Sequence, residues 1–136
     1  MITISYEQLN KPAFLSGINK LANTDFHLQT GYMLGKINEK VKQHLNGAKK
    51  EWVELLTTKV EWEGEGLEKK PKDEQALVTL EKDFLQKTFT IEKNKIHVQD
   101  IHVAKLTPEE LLALEPVLTG FETLEEGDKN GEKETN

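Results

Sequence analysis

The sequence predicts a mainly α-helical domain with a small β element (α+β): a helical hairpin or bundle built on one long amphipathic helix, with a short β-hairpin and a short C-terminal helix. Three observations predict it. Leu34, Ile37, Val41, Leu45, Ala48, Trp52 and Leu55 recur at steps of three and four residues, which places them in a seam on one helix face across three heptads. Beyond residue 88 the period shortens to two: Phe89 and Ile91 alternate with threonines, and Ile96 and Val98 with polar residues. That is the pattern of strands with one buried face. Leu106-Thr107-Pro108-Glu109-Glu110 then combines an N-cap threonine, a proline for the first helical position and a glutamate three residues after the cap, a helix-start signal.

In chain order, Ile2-Thr3-Ile4 suits a short strand, and Ser5 with Gln8 fits a capping box. Pro12 opens a helix over 12–22 whose apolar stripe is Phe14, Leu15, Ile18 and Leu21. Asn23 can end it, and Thr24 or Asp25 can cap the next. A helix running unbroken from 25 to 59 is roughly 50 Å long, more than the roughly 35–40 Å diameter of a compact domain of this size. Either it breaks at Gly31, Gly35 or Gly47, each costing about 1 kcal/mol relative to Ala, or it packs against another chain. Residues 61–74 carry two glycines, a proline and many charges and read as a mobile loop. Asp73 can cap a helix over 74–87 with Leu77, Leu80 and Phe84 as its apolar face.

Glu92-Lys93-Asn94-Lys95 is the expected turn of a hairpin spanning Phe89–Val98, with Ile101 and Val103 extending its second strand past a bulge at Gln99-Asp100. The last helix stops before Pro116. Residues 1–121 form one domain in this reading, and 122–136 an acidic tail expected to be disordered. Laid end to end, the helices over 12–22 and 74–87 could just cover the long helix with no partner; the expectation is that they lie side by side. That arrangement leaves one end of the seam bare for a second copy, most simply in a two-fold dimer.

Composition narrows the chemistry. The 136 residues include no cysteine, so disulfides, zinc-thiolate sites and a thiol nucleophile are excluded. All 18 basic residues are lysine, which removes the bidentate guanidinium clamp for guanine, phosphate or carboxylate. The net charge of −6 is concentrated in residues 105–136, where nine acids face three lysines. Acid in excess disfavours nucleic acid and anionic membrane as partners. The N-terminus has no signal-peptide pattern and no apolar run approaches the roughly 20 residues of a membrane span, so a cytoplasmic location is expected.

No residue cluster reads as catalytic. His27, His44, His97 and His102 form no HxxxH or HExxH pair. Only a bulge at Asp100 would bring His97 and His102 to one side as metal ligands, and exposed strand histidines are the plainer reading. Glu61, Glu63 and Glu65 around Trp62 read as a solvated loop rather than an acid–base pair. Gly31 and Gly35 suggest close packing between helices, and the lysines at 49–50 and 69–72 have acidic neighbours that weaken them as nucleic-acid patches. Trp52 belongs to the seam. Trp62, in the loop, either anchors a partner or folds back on the helices.

The phrases ISYEQLN and FLSGINKLAN, the long charged helix, the acidic loop and LTPEELLALEPVL together resemble small tailed-bacteriophage proteins of unknown function (DUF1617-like) across most of the chain. Thr107, Pro108, Glu110, Leu111, Leu114, Glu115 and Pro116 carry the last match. The resemblance implies a context, with no catalytic residues to transfer. The expectation is a non-enzymatic phage accessory or virion-associated protein, in the host cytoplasm or on the virion, that acts through protein–protein interaction and self-association. The alternative is an inhibitor of a host defence system that blocks a protein or sequesters a small signalling ligand, the latter needing an oligomeric pocket that Tyr32, Trp62 and nearby lysines could supply. No cofactor and no metal are expected. The expected interaction surface is Leu34, Ile37, Val41, Leu45, Trp52, Leu55 and Trp62, the expected assembly a homodimer, and the further partner a phage or host protein.

Overall fold

In the computed structural model, which describes residues 1–124, the chain opens with β1 (Ile2–Ser5) and a single helical turn, α1 (Tyr6–Leu9). The Ser5–Gln8 capping box forms in both directions and starts α1. α2 (Pro12–Ala22) follows with its proline in the first turn, and Asn23 ends it. Phe14, Ile18 and Leu21 lie on its buried face, each stabilising by roughly 1.5–3 kcal/mol relative to exposure.

α3 (Leu28–Thr58) is a continuous helix of 31 residues, about 46 Å at 1.5 Å per residue. It begins later than the sequence suggests: neither Thr24 nor Asp25 caps it, and His27 holds the N-cap position without a side-chain hydrogen bond. It also runs through all three candidate breaks. The backbone at Gly35 and Gly47 faces open space, so each glycine costs only its propensity of about 1 kcal/mol, which the long packed face offsets.

The seam is covered mainly from within. Leu34, Ile37, Val41 and Ala48 are buried, while Leu45, Trp52 and Leu55 pack half-buried against the core. The helices over 12–22 and 74–87 are disposed along α3, not side by side as expected. α2 covers the stretch from Leu34 to Leu45, and α4 (Glu74–Leu85) meets the seam at Ala48 and Trp52 through Phe84 and Leu85. The reason lies in α1 and β1, which occupy the space between them and put Leu9, Ile2 and Ile4 into the middle of the core. Asp73 caps α4 through Ala76 N.

The residues between α3 and α4 are not a structureless loop. They form a hairpin of β2 (Trp62–Glu63) and β3 (Lys70–Pro71), joined by a 3-10 turn at Gly66–Glu68. After α4 the period-2 segment is β4 (Thr88–Ile91), followed by β5 (Ile96–His97). Phe89, Ile91, Ile96 and Val98 are all buried, as the alternation requires, but the two strands do not pair with each other. β4 pairs antiparallel with β1, Ile2 opposite Ile91 and Ile4 opposite Phe89. β5 pairs parallel with β6 (Leu118–Thr119). Ile2 and Ile4 offer β4 a buried partner stripe opposite Ile91 and Phe89 over four paired positions, whereas β5 is only two residues long.

The extension expected through Ile101 and Val103 is instead a 3-10 turn at Val98–Ile101. It buries Ile101 and leaves Val103 outside. α5 (Pro108–Ala113) forms with its complete Thr107–Glu110 capping box and docks on α2, where Gly17 lets Leu114 approach: a Cβ at Gly17 would lie 2.8 Å from Leu114 Cδ1. The fold is therefore mainly α with a small β element, and among the described residues no helix is long and apolar enough to cross a membrane. The acidic tail proposed for 122–136 lies, from residue 125 onward, outside the described residues.

Candidate interaction surface

The last carbonyls of any helix lack intrahelical donors. At the end of α3, Lys59 N donates to Leu55 O, and the Trp62 indole Nε1 donates to Leu56 O at 2.8 Å. Trp62 thus folds back on the helix and docks the hairpin against it, half-buried, with Lys69 Nζ over its ring at 5.4 Å from the centroid. The hairpin is tied at its base by Lys72 N to Glu61 O at 2.9 Å. Gly64 turns it at φ +83°, where a Cβ would sit 2.5 Å from Glu68 O, so only glycine fits.

This docking leaves a groove of about 540 Å³ lined by Val53, Leu56, Thr57, Trp62 and Lys69. Val53 is 62 % exposed on its rim, and Leu67 at the hairpin turn is fully exposed. Of the seven residues singled out by the sequence, Leu34, Ile37, Val41 and Leu45 serve the internal core. Trp52 and Leu55 lie half-buried near the helix end, and only Trp62 lines the groove. Sequence reasoning missed Val53 and Leu67. The signal for Leu67 was present: it is the one large aliphatic residue in a stretch of glycines and charges.

A second cleft, about 340 Å³, opens between α3 and α4 and is lined by Asn10, Ala48, Lys49, Trp52, Glu81, Phe84 and Leu85. Its aromatic wall is Trp52 against Phe84, with centroids 5.0 Å apart, and Tyr6 meets Phe84 edge-on. Beside it Glu51 accepts from Lys87 Nζ and from Tyr6 Oη. The Tyr6 pKa is raised, first by burial and then by the Glu51 charge, and that of Lys87 is raised by its hydrogen bond to Glu51. Through these contacts Glu51 ties α1 and the residue that leads into β4 to α3.

A third cluster centres on Glu110, nearly fully buried, whose carboxylate accepts from Lys20 Nζ at 2.7 Å, Ser16 Oγ at 2.5 Å and Thr107 N at 2.9 Å. These donors, Lys20 foremost, hold its pKa at about 2. A carboxylate so stabilised is a poor base; the cluster clamps α5 to α2.

The remaining sequence candidates are used locally. His97 Nδ1 accepts from Gln99 N, and His102 Nδ1 contacts Gln99 O at 2.7 Å. The two rings thus shape one turn, and among the described residues no group of three or more His, Cys, Asp or Glu is placed to hold a metal. His44 stacks on Phe89 at 4.0 Å. Glu63 pairs with Lys70 across the hairpin, and Glu61 and Glu65 are exposed. Among the described residues no helix packs against Gly31 or Gly35: a Cβ at Gly31 would meet only Phe26 O at 4.0 Å, and one at Gly35 nothing within 4 Å. Tyr32 stands near the start of α3 and Trp62 beyond its end, about 40 Å apart along the helix, so one chain does not bring them together and a pocket holding both would need a second copy. Compared with protein-family models, curated proteins and solved structures, the chain matches none.

Proposed function

We propose that this chain is a non-enzymatic interaction protein, of the accessory or virion-associated kind suggested by the resemblance to tailed-phage proteins, acting through protein–protein contact and self-association. The observation that carries the reading is the apolar groove at the end of α3 with Val53 and Leu67 left in water beside it. Burying a large apolar side chain stabilises by roughly 1.5–3 kcal/mol, and a tip built on an ordered turn presents that side chain at little entropic cost. Val53→Glu places a charge in the groove without touching the core. Affinity capture from the producing cell with wild-type chain and with Val53→Glu in parallel tests the proposal. A protein retained by the first and lost with the second supports it, and identical recoveries refute it.

A second reading is favoured by the cleft between α3 and α4. An aromatic wall of Trp52 and Phe84 flanked by Lys49 and Glu81 suits a planar polar ligand, as a chain that sequesters a small signalling molecule in order to inhibit a host defence system would need. Ligand binding to the folded state raises the thermal midpoint. A nucleotide panel that shifts the midpoint of wild type but not of Trp52→Leu supports this reading, and a flat panel removes it.

A further inference from the structure

We infer that the cleft between α3 and α4 takes a guanine nucleotide, with the base laid on Trp52, its donor edge on Glu81 and its phosphate on Lys49. The inference rests on the ligand reading of this cleft and names the ligand class. The cleft holds about 340 Å³, within the roughly 300–1,000 Å³ of small-molecule sites. Its wall is aromatic, Trp52 packed on Phe84 at 5.0 Å between centroids, and Ala48 and Leu85 complete the apolar lining. Stacking on such a wall serves any base, because every base has a π face.

The polar groups of the lining choose among the bases. Glu81 stands on α4 and Lys49 on the facing α3, and among the described residues neither pairs with another charge. The Glu81 carboxylate only accepts. Asn10 Nδ2 donates to Tyr6 O at 2.8 Å, which leaves Oδ1 as a further acceptor. The cleft thus suits a ligand with adjacent N–H donors on one side and an anionic group on the other. Guanine supplies the donors through N1–H and its N2 amino group, which span a carboxylate in two parallel hydrogen bonds. Adenine and cytosine each carry a ring-nitrogen acceptor beside the amino donor, and uracil flanks its one N–H with two carbonyls. Each of these sets an acceptor against the second carboxylate oxygen. The chain has no arginine, the usual reader of guanine through O6 and N7, so the reading falls to the donor edge.

Isothermal titration calorimetry on the full chain with 5′-GMP, AMP, CMP, UMP and guanosine tests the inference. GMP should bind with a Kd of roughly 10–100 µM. It should bind about ten-fold more tightly than the other three nucleotides, and about three-fold more tightly than guanosine, the yield of one exposed ion pair. Lys49→Ala should erase the difference between GMP and guanosine, and Trp52→Leu should bind none of the five. Glu81 is exposed, so Glu81→Gln should fold as wild type does. Its carboxamide matches the donor–acceptor pair of adenine and gives the paired donors of guanine one acceptor in place of two, so GMP and AMP should bind to near parity. A GMP preference kept in full by Glu81→Gln would overturn the inference. Equal wild-type affinity for the four nucleotides, or preference for another base, lost with Trp52→Leu, overturns this inference alone and leaves the cleft a ligand site. A wild-type chain that binds none of the five removes the ligand reading too.

Discussion

Two helix glycines should respond to alanine in opposite directions. Gly47 lies on the outer side of α3, and a Cβ there meets nothing within 4 Å. Gly47→Ala therefore gains the helix propensity difference of about 1 kcal/mol and loses nothing. Gly17 in α2 offers the same propensity gain, but its Cβ would stand 2.8 Å from Leu114 Cδ1 and 3.1 Å from Leu114 Cγ. Carbon atoms prefer about 3.5–4.0 Å, and Leu114 is fully buried with no free direction to retreat. Overpacking of this kind costs about 1–3 kcal/mol, so Gly17→Ala should be neutral to about 2 kcal/mol destabilising once propensity is included. The propensity term cancels between the two variants, leaving Gly17→Ala less stable than Gly47→Ala by about 1–3 kcal/mol. Urea unfolding at pH 7 measures the difference directly, and in a thermal scan each kcal/mol moves the midpoint by about 2–8 °C. If Gly17→Ala proves as stable as Gly47→Ala, the close approach of α5 to α2 at Leu114 is wrong.

Thr107→Ala removes the hydroxyl that accepts from Glu110 N and should cost about 1 kcal/mol in chemical denaturation; no loss would mean that α5 starts without its cap. The Glu110 pKa is lowered from 4.5 to about 2, Lys20 being the first cause. Since the folded pKa lies below the unfolded one, the stabilisation is complete above about pH 5 and is lost as pH falls toward 2. Glu110→Gln should lower the thermal midpoint at pH 7 and flatten its decline between pH 5 and 2; parallel profiles for the two proteins would count against the clamp. Trp62→Phe deletes the donor to Leu56 O and should weaken hairpin docking by about 0.5–1.5 kcal/mol. It would be read as faster amide exchange over 62–71 with the exchange of α2 unchanged.

Much of the fold was legible because its signals are short-range. The Ser5–Gln8 and Thr107–Glu110 capping boxes, Pro12 and Pro108 in first turns, and the Asp73 cap act over three or four residues, and each occurs as the sequence suggests. The seam of α3 and the burial of Phe89, Ile91, Ile96 and Val98 were legible because a period of 3.6 or 2 assigns a face whatever covers it.

The sequence alone therefore determined the main helices, the strands at Ile2–Ile4 and Phe89–Ile91 and which side of each turns inward, but not the β2–β3 hairpin, the 3-10 turn at Val98–Ile101 or β6. Tertiary structure decided which elements meet. The alternation over 89–91 is equally compatible with pairing to its neighbour at 96–98 or to Ile2–Ile4. The longer matching stripe at the N-terminus, with Ile2 and Ile4 buried opposite Ile91 and Phe89, settles it in favour of a strand 87 residues away, Thr3 opposite Thr90. The seam of α3 looked in need of a second chain until β1 and α1 entered between α2 and α4 and let those helices lie along it. The surface left for partners is what that internal packing does not use. It is created by Trp62 reaching back to a helix-end carbonyl and by Gly64 aiming Leu67 outward. Beyond the lone Leu67 among glycines and charges, no residue pattern announces such a remainder, because it depends on every other contact in the chain having been made first.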